Sequence, residues 1–293
     1  MRPLGIPSFR DKLLQEVIRM LLEAIYEPVF SDFSHGFRLK RSCHTALGQA
    51  KCYFTGAKWF VEGDIKGCFD NINHAKLIEI LERKIKDSKF INVIRSFLKA
   101  GYLEDWTYHG TYTGCPQGGV LSPILSNIYL NELDNKISEI KENFDTSPAR
   151  HRNPEYRATL YQAYRREKAL GHTETEQERQ KLLDEIRYYK ELSLKLPAKL
   201  QIDKKVSYVR YADDFLIAVH GSKEDCIQIK AQLAEFLNNE LKLTLSEEKT
   251  LITHSSNNAL FLGYDISVRR NNAVKTDSIG RKQRFLSGTV QMN

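Results

Sequence analysis

Val206-Ser207-Tyr208-Val209-Arg210-Tyr211-Ala212-Asp213-Asp214-Phe215-Leu216-Ile217-Ala218-Val219 decides how this chain folds. Two runs rich in Val, Ile, Tyr and Phe, Val206 to Tyr211 and Phe215 to Val219, are joined without room for a long loop, which predicts a tight hairpin. Its tip carries the adjacent carboxylates Asp213 and Asp214. Like charges at neighbouring positions repel, so such a tip calls for cations. Neighbouring strand residues face opposite ways, which lets one aspartate lead in metal binding while the other supports it from the side.

Two divalent ions about 3.5–4 Å apart, the arrangement that serves in-line displacement at phosphorus, need a second acidic centre. Asp64 offers one. It lies in the apolar run Trp59-Phe60-Val61-Glu62-Gly63-Asp64-Ile65, where Gly63 allows something to approach the backbone closely. Beyond the connection 66–69, Asn71 or Asn73 can cap a helix whose apolar positions Leu77, Ile80, Leu81 and Ile85 fall at helical spacing. Hard cations prefer oxygen ligands and keep several waters, so Mg²⁺ is the natural occupant of such a centre.

Around these two points the pattern predicts helices and a sheet. Residues 1–56 read as mostly helical, with Leu13, Val17, Leu21 and Ile25 spaced for one buried face. Ser122 as cap and Pro123 in the first turn start a helix with Leu125, Ile128, Tyr129, Leu133 and Ile137 on one side. Another runs from Cys226 to Leu241 through Ile229, Leu233, Phe236 and Leu237. The expected fold is α+β, an antiparallel sheet backed by helices that brings Asp64 and Asp213 together from distant parts of the chain.

Several further blocks make the chain resemble the reverse transcriptase region of group II intron-encoded proteins, the maturases. Arg2-Pro3-Leu4-Gly5-Ile6-Pro7 with Arg10-Asp11-Lys12 is similar to the first block of that family. Phe33-Ser34-His35-Gly36-Phe37-Arg38 with Arg41-Ser42-Cys43-His44-Thr45-Ala46-Leu47 is similar to the second, and Gly63-Asp64-Ile65-Lys66-Gly67-Cys68-Phe69-Asp70 to the third. Gly114-Cys115-Pro116-Gln117-Gly118-Gly119-Val120-Leu121-Ser122-Pro123 resembles the fourth and Tyr211 to Asp214 the fifth. Leu243-Thr244-Leu245-Ser246-Glu247-Glu248-Lys249-Thr250 and Phe261-Leu262-Gly263-Tyr264 resemble the sixth and seventh. Their common order makes the signal specific, where any one block alone is weak.

The resemblance implies a right-hand polymerase fold. Fingers would occupy residues 1–56 with help from 86–115, and the palm 57–138 and 206–270. A basic helical insertion would fill 139–205, and 271–293 would form a tail leading to a thumb that is absent, as in a fragment of a longer protein. It also implies the reaction, in which a primer 3′-hydroxyl attacks the α-phosphorus of a deoxynucleoside triphosphate along an RNA template. Asp64 and Asp213 would bridge two Mg²⁺ ions, with Mn²⁺ as a substitute. Asp214 would hold the ion nearest the primer, and the Ile65 carbonyl would complete the triphosphate-side ion.

By block position Phe69 would lie under the sugar and reject a 2′-hydroxyl, while Gln117 would touch the incoming nucleotide. Ala212 would leave space at the primer terminus. Arg2 would grip the triphosphate, as a guanidinium grips phosphate bidentately, and Lys249 is the other candidate on the phosphate side. Arg38 and Arg41 are candidates for the template backbone.

Composition points the same way. A formal charge of +7 and a pI near 9.0 favour a polyanionic partner. With 293 residues, 41% of them hydrophobic, the chain can bury a substantial core. Five cysteines without Cys-x-x-Cys spacing suggest neither zinc nor a disulfide framework. No secretory leader is visible and no apolar run approaches the ~20 residues of a membrane helix, so the expectation is a soluble protein of the bacterial cytoplasm or of an organelle, with no membrane partner. Self-association is left open by these residues.

The stretch 139–205 crowds Arg150, Arg152, Arg157, Arg165, Arg166 and Lys168 among Tyr156, Tyr161 and Tyr164, followed by a charged helix over Gln177 to Leu196. It is a candidate surface for structured intron RNA through phosphate contacts and stacking, the alternative being a solvated helical hairpin. Two functions follow from the whole reading. One is an RNA-directed DNA polymerase that also binds its intron RNA to assist splicing and retrohoming. The other is an intron-RNA-binding splicing cofactor whose polymerase activity is vestigial or lost by truncation.

Overall fold

The computed structural model describes residues 6–104, 107–109, 113–115, 118–146, 150–173, 175–196, 198–201, 204–271, 274–276, 280, 282–284 and 287–293. The helices are α1 (Phe9–Tyr26), α2 (Cys43–Tyr53), α3 (Cys68–Asn71), α4 (His74–Lys84), α5 (Ser88–Lys99), α6 (Ser122–Phe144), α7 (Pro154–Leu170), α8 (Glu176–Lys195) and α9 (Lys223–Asn239). The strands are β1 (Trp59–Asp64), β2 (Tyr102–Glu104), β3 (Thr107–His109), β4 (Arg150–Arg152), β5 (Lys199–Gln201), β6 (Lys205–Tyr211) and β7 (Asp214–His220). They continue with β8 (Ile252–His254), β9 (Ala259–Phe261), β10 (Tyr264–Asn271), β11 (Val274–Thr276), β12 (Lys282–Arg284) and β13 (Ser287–Met292).

The central sheet runs β6-β7-β1-β8, antiparallel throughout. Side chains alternate between its faces with period two. Val61, Val206, Tyr208, Phe215, Ile217 and Val219 point into a core built with α4, α5, α6 and α9. Phe60, Val209, Leu216 and Ala218 enter a second core with α2 and the β13-β10-β9 sheet. Both faces are therefore covered, which explains why the strands read as nearly continuous apolar runs. Asn73 caps α4 by accepting from the Lys76 N–H at 3.0 Å. Ser122 is the first helical residue of α6, one place after the cap position held by Leu121.

Helix α1 differs from expectation. Leu13, Val17, Leu21 and Ile25 are exposed, while Gln15, Ile18, Leu22 and Tyr26 are buried. Both sets keep helical spacing, because α1 is apolar most of the way round, and period alone cannot choose between two such stripes. At the other end, residues 287–292, expected in a tail, pair with β10 from Asn271↔Ser287 to Ile266↔Met292. Within the insertion, α7 and α8 pack on each other and α8 reaches β12. Among the described residues no helix is long and apolar enough to cross a membrane.

Candidate active site

The β6–β7 ladder stays in register to Tyr211↔Asp214, leaving Ala212 and Asp213 as a two-residue connection. Ala212 has φ +56°, a left-handed conformation that costs an L-residue about 1–2 kcal/mol and must be held by its surroundings. Arg210 Nη1 donates to the Ala212 carbonyl at 2.8 Å. From the side, residues 33–36 lie along β6, with Arg210 N–H on the Phe33 carbonyl at 2.8 Å and His35 N–H on the Arg210 carbonyl at 2.9 Å. Gly36 sits so close that a Cβ there would run into the Ala212 nitrogen, and its carbonyl accepts from Asn127 Nδ2 at 2.8 Å.

Asp64 and Asp214 are cross-strand partners at the ends of β1 and β7. One step back, Gly63 faces Phe215, whose ring occupies the space a Cβ would need. Beyond the strand, the Asp64 carbonyl accepts from Ser246 N–H at 2.8 Å and Lys66 N–H donates to Thr244 at 3.0 Å. These two bonds flank Ile65, which bridges to Leu245. Burial pushes the Asp214 carboxyl up to about 6, and the negative charges of Asp64 and Asp213 push the same way, against the Leu262 N–H and Lys249. Lys249 Nζ lies 3.1 Å from Asp64 Oδ2.

This donor set fits a hard cation: carboxylates from two strands and a turn are drawn together at an energetic cost, and an ammonium group already stands against one of them. Among the described residues no three acidic, histidine or cysteine side chains are grouped so as to hold an ion by themselves. Further ligands would come from water and phosphate oxygens, as is usual for Mg²⁺.

Behind the turn lies an ion pair the sequence did not disclose. Arg210 is fully buried and joins Asp134 of α6, with Nε on Oδ1 at 2.8 Å and Nη2 on Oδ2 at 2.6 Å. Nη2 also reaches Ser34 Oγ at 2.8 Å, Nη1 reaches Asn127 Oδ1 at 3.4 Å, and Tyr208 donates to Asp134 Oδ1 at 2.8 Å. The available signal was phase: Arg210 shares a strand face with apolar Val206 and Tyr208, and Asp134 sits between Leu133 and Ile137 on the buried side of α6.

Phe69, on α3, has its carbonyl fixed by the Cys115 N–H at 2.7 Å, while Gly114 at φ +85° packs against the Phe69–Asp70 backbone. Its ring meets Phe37 edge-on, centroids 6.3 Å apart. Ala212 is buried. Arg2 and Gln117 lie outside the described residues.

The reverse transcriptase (RNA-dependent DNA polymerase) family profile matches residues 1–156 and 180–266. The chain belongs to the reverse transcriptase family. Group II intron-encoded protein LtrA of Lactococcus lactis subsp. cremoris is 56% identical over 292 residues, all of this chain but 48% of that protein. An uncharacterized 91 kDa protein in the cob intron of Schizosaccharomyces pombe is 45% identical over 275 residues, 92% of this chain and 33% of that one. The chain thus spans about half or less of the length of these relatives. Apo telomerase from Candida tropicalis superposes on 87% of this chain and 39% of its own, with TM-score 0.51 at 13% identity, a likeness of fold. The fold is that of a right-hand polymerase.

For this reverse transcriptase chain the basic candidates divide by geometry. Arg38 is spent internally: Nε and Nη2 bind Glu27 and Nη1 donates to the Ser31 and Ser34 carbonyls at 2.5 and 2.8 Å, with the guanidinium over Phe30. Its donors hold the 31–38 turn and are not presented to a template. Arg41 pairs with exposed Asp32 at 2.8 Å. Arg166 turns inward too, bound to Glu185 and lying 4.4 Å over the Tyr189 ring. Arg157, Tyr161, Tyr164, Arg165 and Lys168 are exposed, and their spacing of four, three, one and three residues sets them along one face of α7. Arg150 and Arg152 fall on β4, and their side chains lie outside what the structure describes.

Proposed function

We propose that this chain is the catalytic region of an RNA-directed DNA polymerase encoded by a group II intron, extending a DNA primer along an RNA template with deoxynucleoside triphosphates. The reading rests above all on Asp64 and Asp214 meeting as cross-strand partners beside the turn that carries Asp213. Asp64, Asp213 and Asp214, with the Ile65 carbonyl, would hold the divalent cations of the reaction, Mg²⁺ or Mn²⁺ in its place. When bound, such ions lower the pKa of the attacking 3′-hydroxyl and neutralise charge on the departing pyrophosphate.

The remaining work belongs to the chain. The rigid turn fixes Asp213, because each flank of Ala212 is held by hydrogen bonds or close packing. Lys249 is long and 64% exposed at its side chain, so it can exchange Asp64 for a triphosphate oxygen. Phe69 would lie beneath the sugar, where its ring leaves no room for a 2′-hydroxyl, and Arg2 and Gln117 would approach the triphosphate and base. The exposed face of α7 would bind the intron RNA, in support of splicing and retrohoming.

Primer extension on an RNA template with Mg²⁺, run for wild type and Asp213→Ala beside an intron-RNA binding measurement, tests this. Asp213→Ala is expected to abolish synthesis and spare binding. A wild-type chain that binds intron RNA tightly and extends no primer would replace the polymerase reading with that of a splicing cofactor.

A further inference from the structure

Phe37 is an exposed aromatic held in a strained backbone. Its φ is +54°, in the left-handed region, and the residue is 55% exposed. Neither property is explained by burial, since a bulky side chain in this conformation costs energy and an exposed ring recovers little of it. Both neighbours lock it in place: Gly36 is wedged against Ala212, and Arg38 is clamped by Glu27 and two carbonyls. Strain that is so firmly imposed on a surface residue marks a ring whose position matters.

That ring bridges two parts of the site. It meets Phe69 edge-on, with centroids 6.3 Å apart and planes at 84°, and leans on Tyr211 at 6.4 Å and 41°. Phe69 sits on a helix of only four residues, Cys68–Asn71, and is itself partly exposed. Its backbone is tied down, but on its open side the described ring contact is Phe37.

We propose that Phe37 is a positioning residue for sugar discrimination: it braces the Phe69 ring against the nucleotide, tying the sugar gate to the turn that carries Asp213. This rests on reading Phe69 as that gate. A 2′-hydroxyl can be accommodated only if the Phe69 ring swings aside, and the Phe37 ring, packed against it at 84°, stands against that movement. Removing the brace would lower selectivity more than synthesis itself.

The test is single-nucleotide incorporation on an RNA template, comparing kcat/KM for a deoxynucleotide and its ribonucleotide counterpart. Phe37→Asn deletes the ring while keeping a residue that tolerates positive φ, so the backbone is preserved. The expected result is a ribo/deoxy ratio raised by about tenfold, the order that one aromatic pair supplies, with Phe37→Tyr retaining the wild-type ratio and Phe69→Ala exceeding Phe37→Asn. If Phe69→Ala raises the ratio and Phe37→Asn does not, the brace is refuted while the gate stands. If Phe69→Ala leaves the ratio unchanged, the gate fails and this inference with it. Weaker template–primer binding by Phe37→Asn at an unchanged ratio would make Phe37 a base-stacking residue and overturn the proposal. A wild-type chain that incorporates no deoxynucleotide overturns the polymerase reading itself.

Discussion

Arg210 and Asp134, whose side chains expose no surface at all, form a two-point ion pair directly beneath the acidic turn. Taking two charges out of water is costly, and here the cost is offset because the guanidinium also serves Ser34, Asn127 and the Ala212 carbonyl. The pair joins β6, α6 and the 33–36 segment, so breaking it leaves one charge buried alone. Asp134→Ala is expected to lose about 3–5 kcal/mol in urea denaturation. Replacing Arg210 and Asp134 together by apolar residues should cost clearly less than the sum of the single changes.

Gly36→Ala tests the side support of the turn. The new methyl would meet the Ala212 nitrogen, and backbone cannot step aside as a flexible side chain can. Overpacking of this kind costs about 1–3 kcal/mol. Because the atom displaced belongs to the turn itself, primer extension should fall by more than stability alone explains, with kcat reduced at saturating template and nucleotide.

How much of this was legible in the sequence depends on what kind of information each feature needs. The hairpin and the approach of Asp64 to it follow from short, nearly continuous apolar runs that end in carboxylates, and Gly63 announced a close approach that proved to be the Phe215 ring. Arg210 and Asp134 showed only as charges in phase with apolar neighbours. Their pairing spans 76 positions and requires the fold. Arg38 and Arg166 look like Arg157 and Arg165 in sequence; what separates them is Glu27 and Glu185, which arrive from elsewhere in space. For α1 the sequence offered two helical stripes, and packing on α6 selected the one containing Gln15 and Leu22.

The raised Asp214 carboxyl sets a pH dependence. Its folded value, about 6, exceeds the usual 3.8, so between those limits the folded state binds more protons than the unfolded chain, and this group's contribution to stability falls as pH rises. The penalty is complete above about pH 6 and relieved towards pH 4. Asp214→Asn is therefore expected to stabilise the metal-free protein at pH 7.5 by about 2 kcal/mol, with the gain shrinking to little at pH 4. Thermal denaturation of both proteins across that range measures the difference. Protons and cations compete for the same oxygens, so the Mg²⁺ concentration needed for half-maximal synthesis should climb below about pH 6.

The two arginines adjacent on α7 predict opposite phenotypes. Arg165 shares the exposed face with Arg157, Lys168 and two tyrosines that are each 60% exposed, an arrangement suited to phosphate binding with stacking. Arg166 instead closes the hairpin on Glu185 and Tyr189. Replacing Arg157, Arg165 and Lys168 together by Ala should weaken intron-RNA binding and reduce the slope of log affinity against log salt by about 2–3, because fewer phosphates are then neutralised and fewer counterions leave the RNA. Arg166→Ala should leave that slope nearly unchanged and lower the helicity or melting temperature of the insertion. Equal salt slopes for the triple variant and wild type would move the RNA surface away from this face of α7.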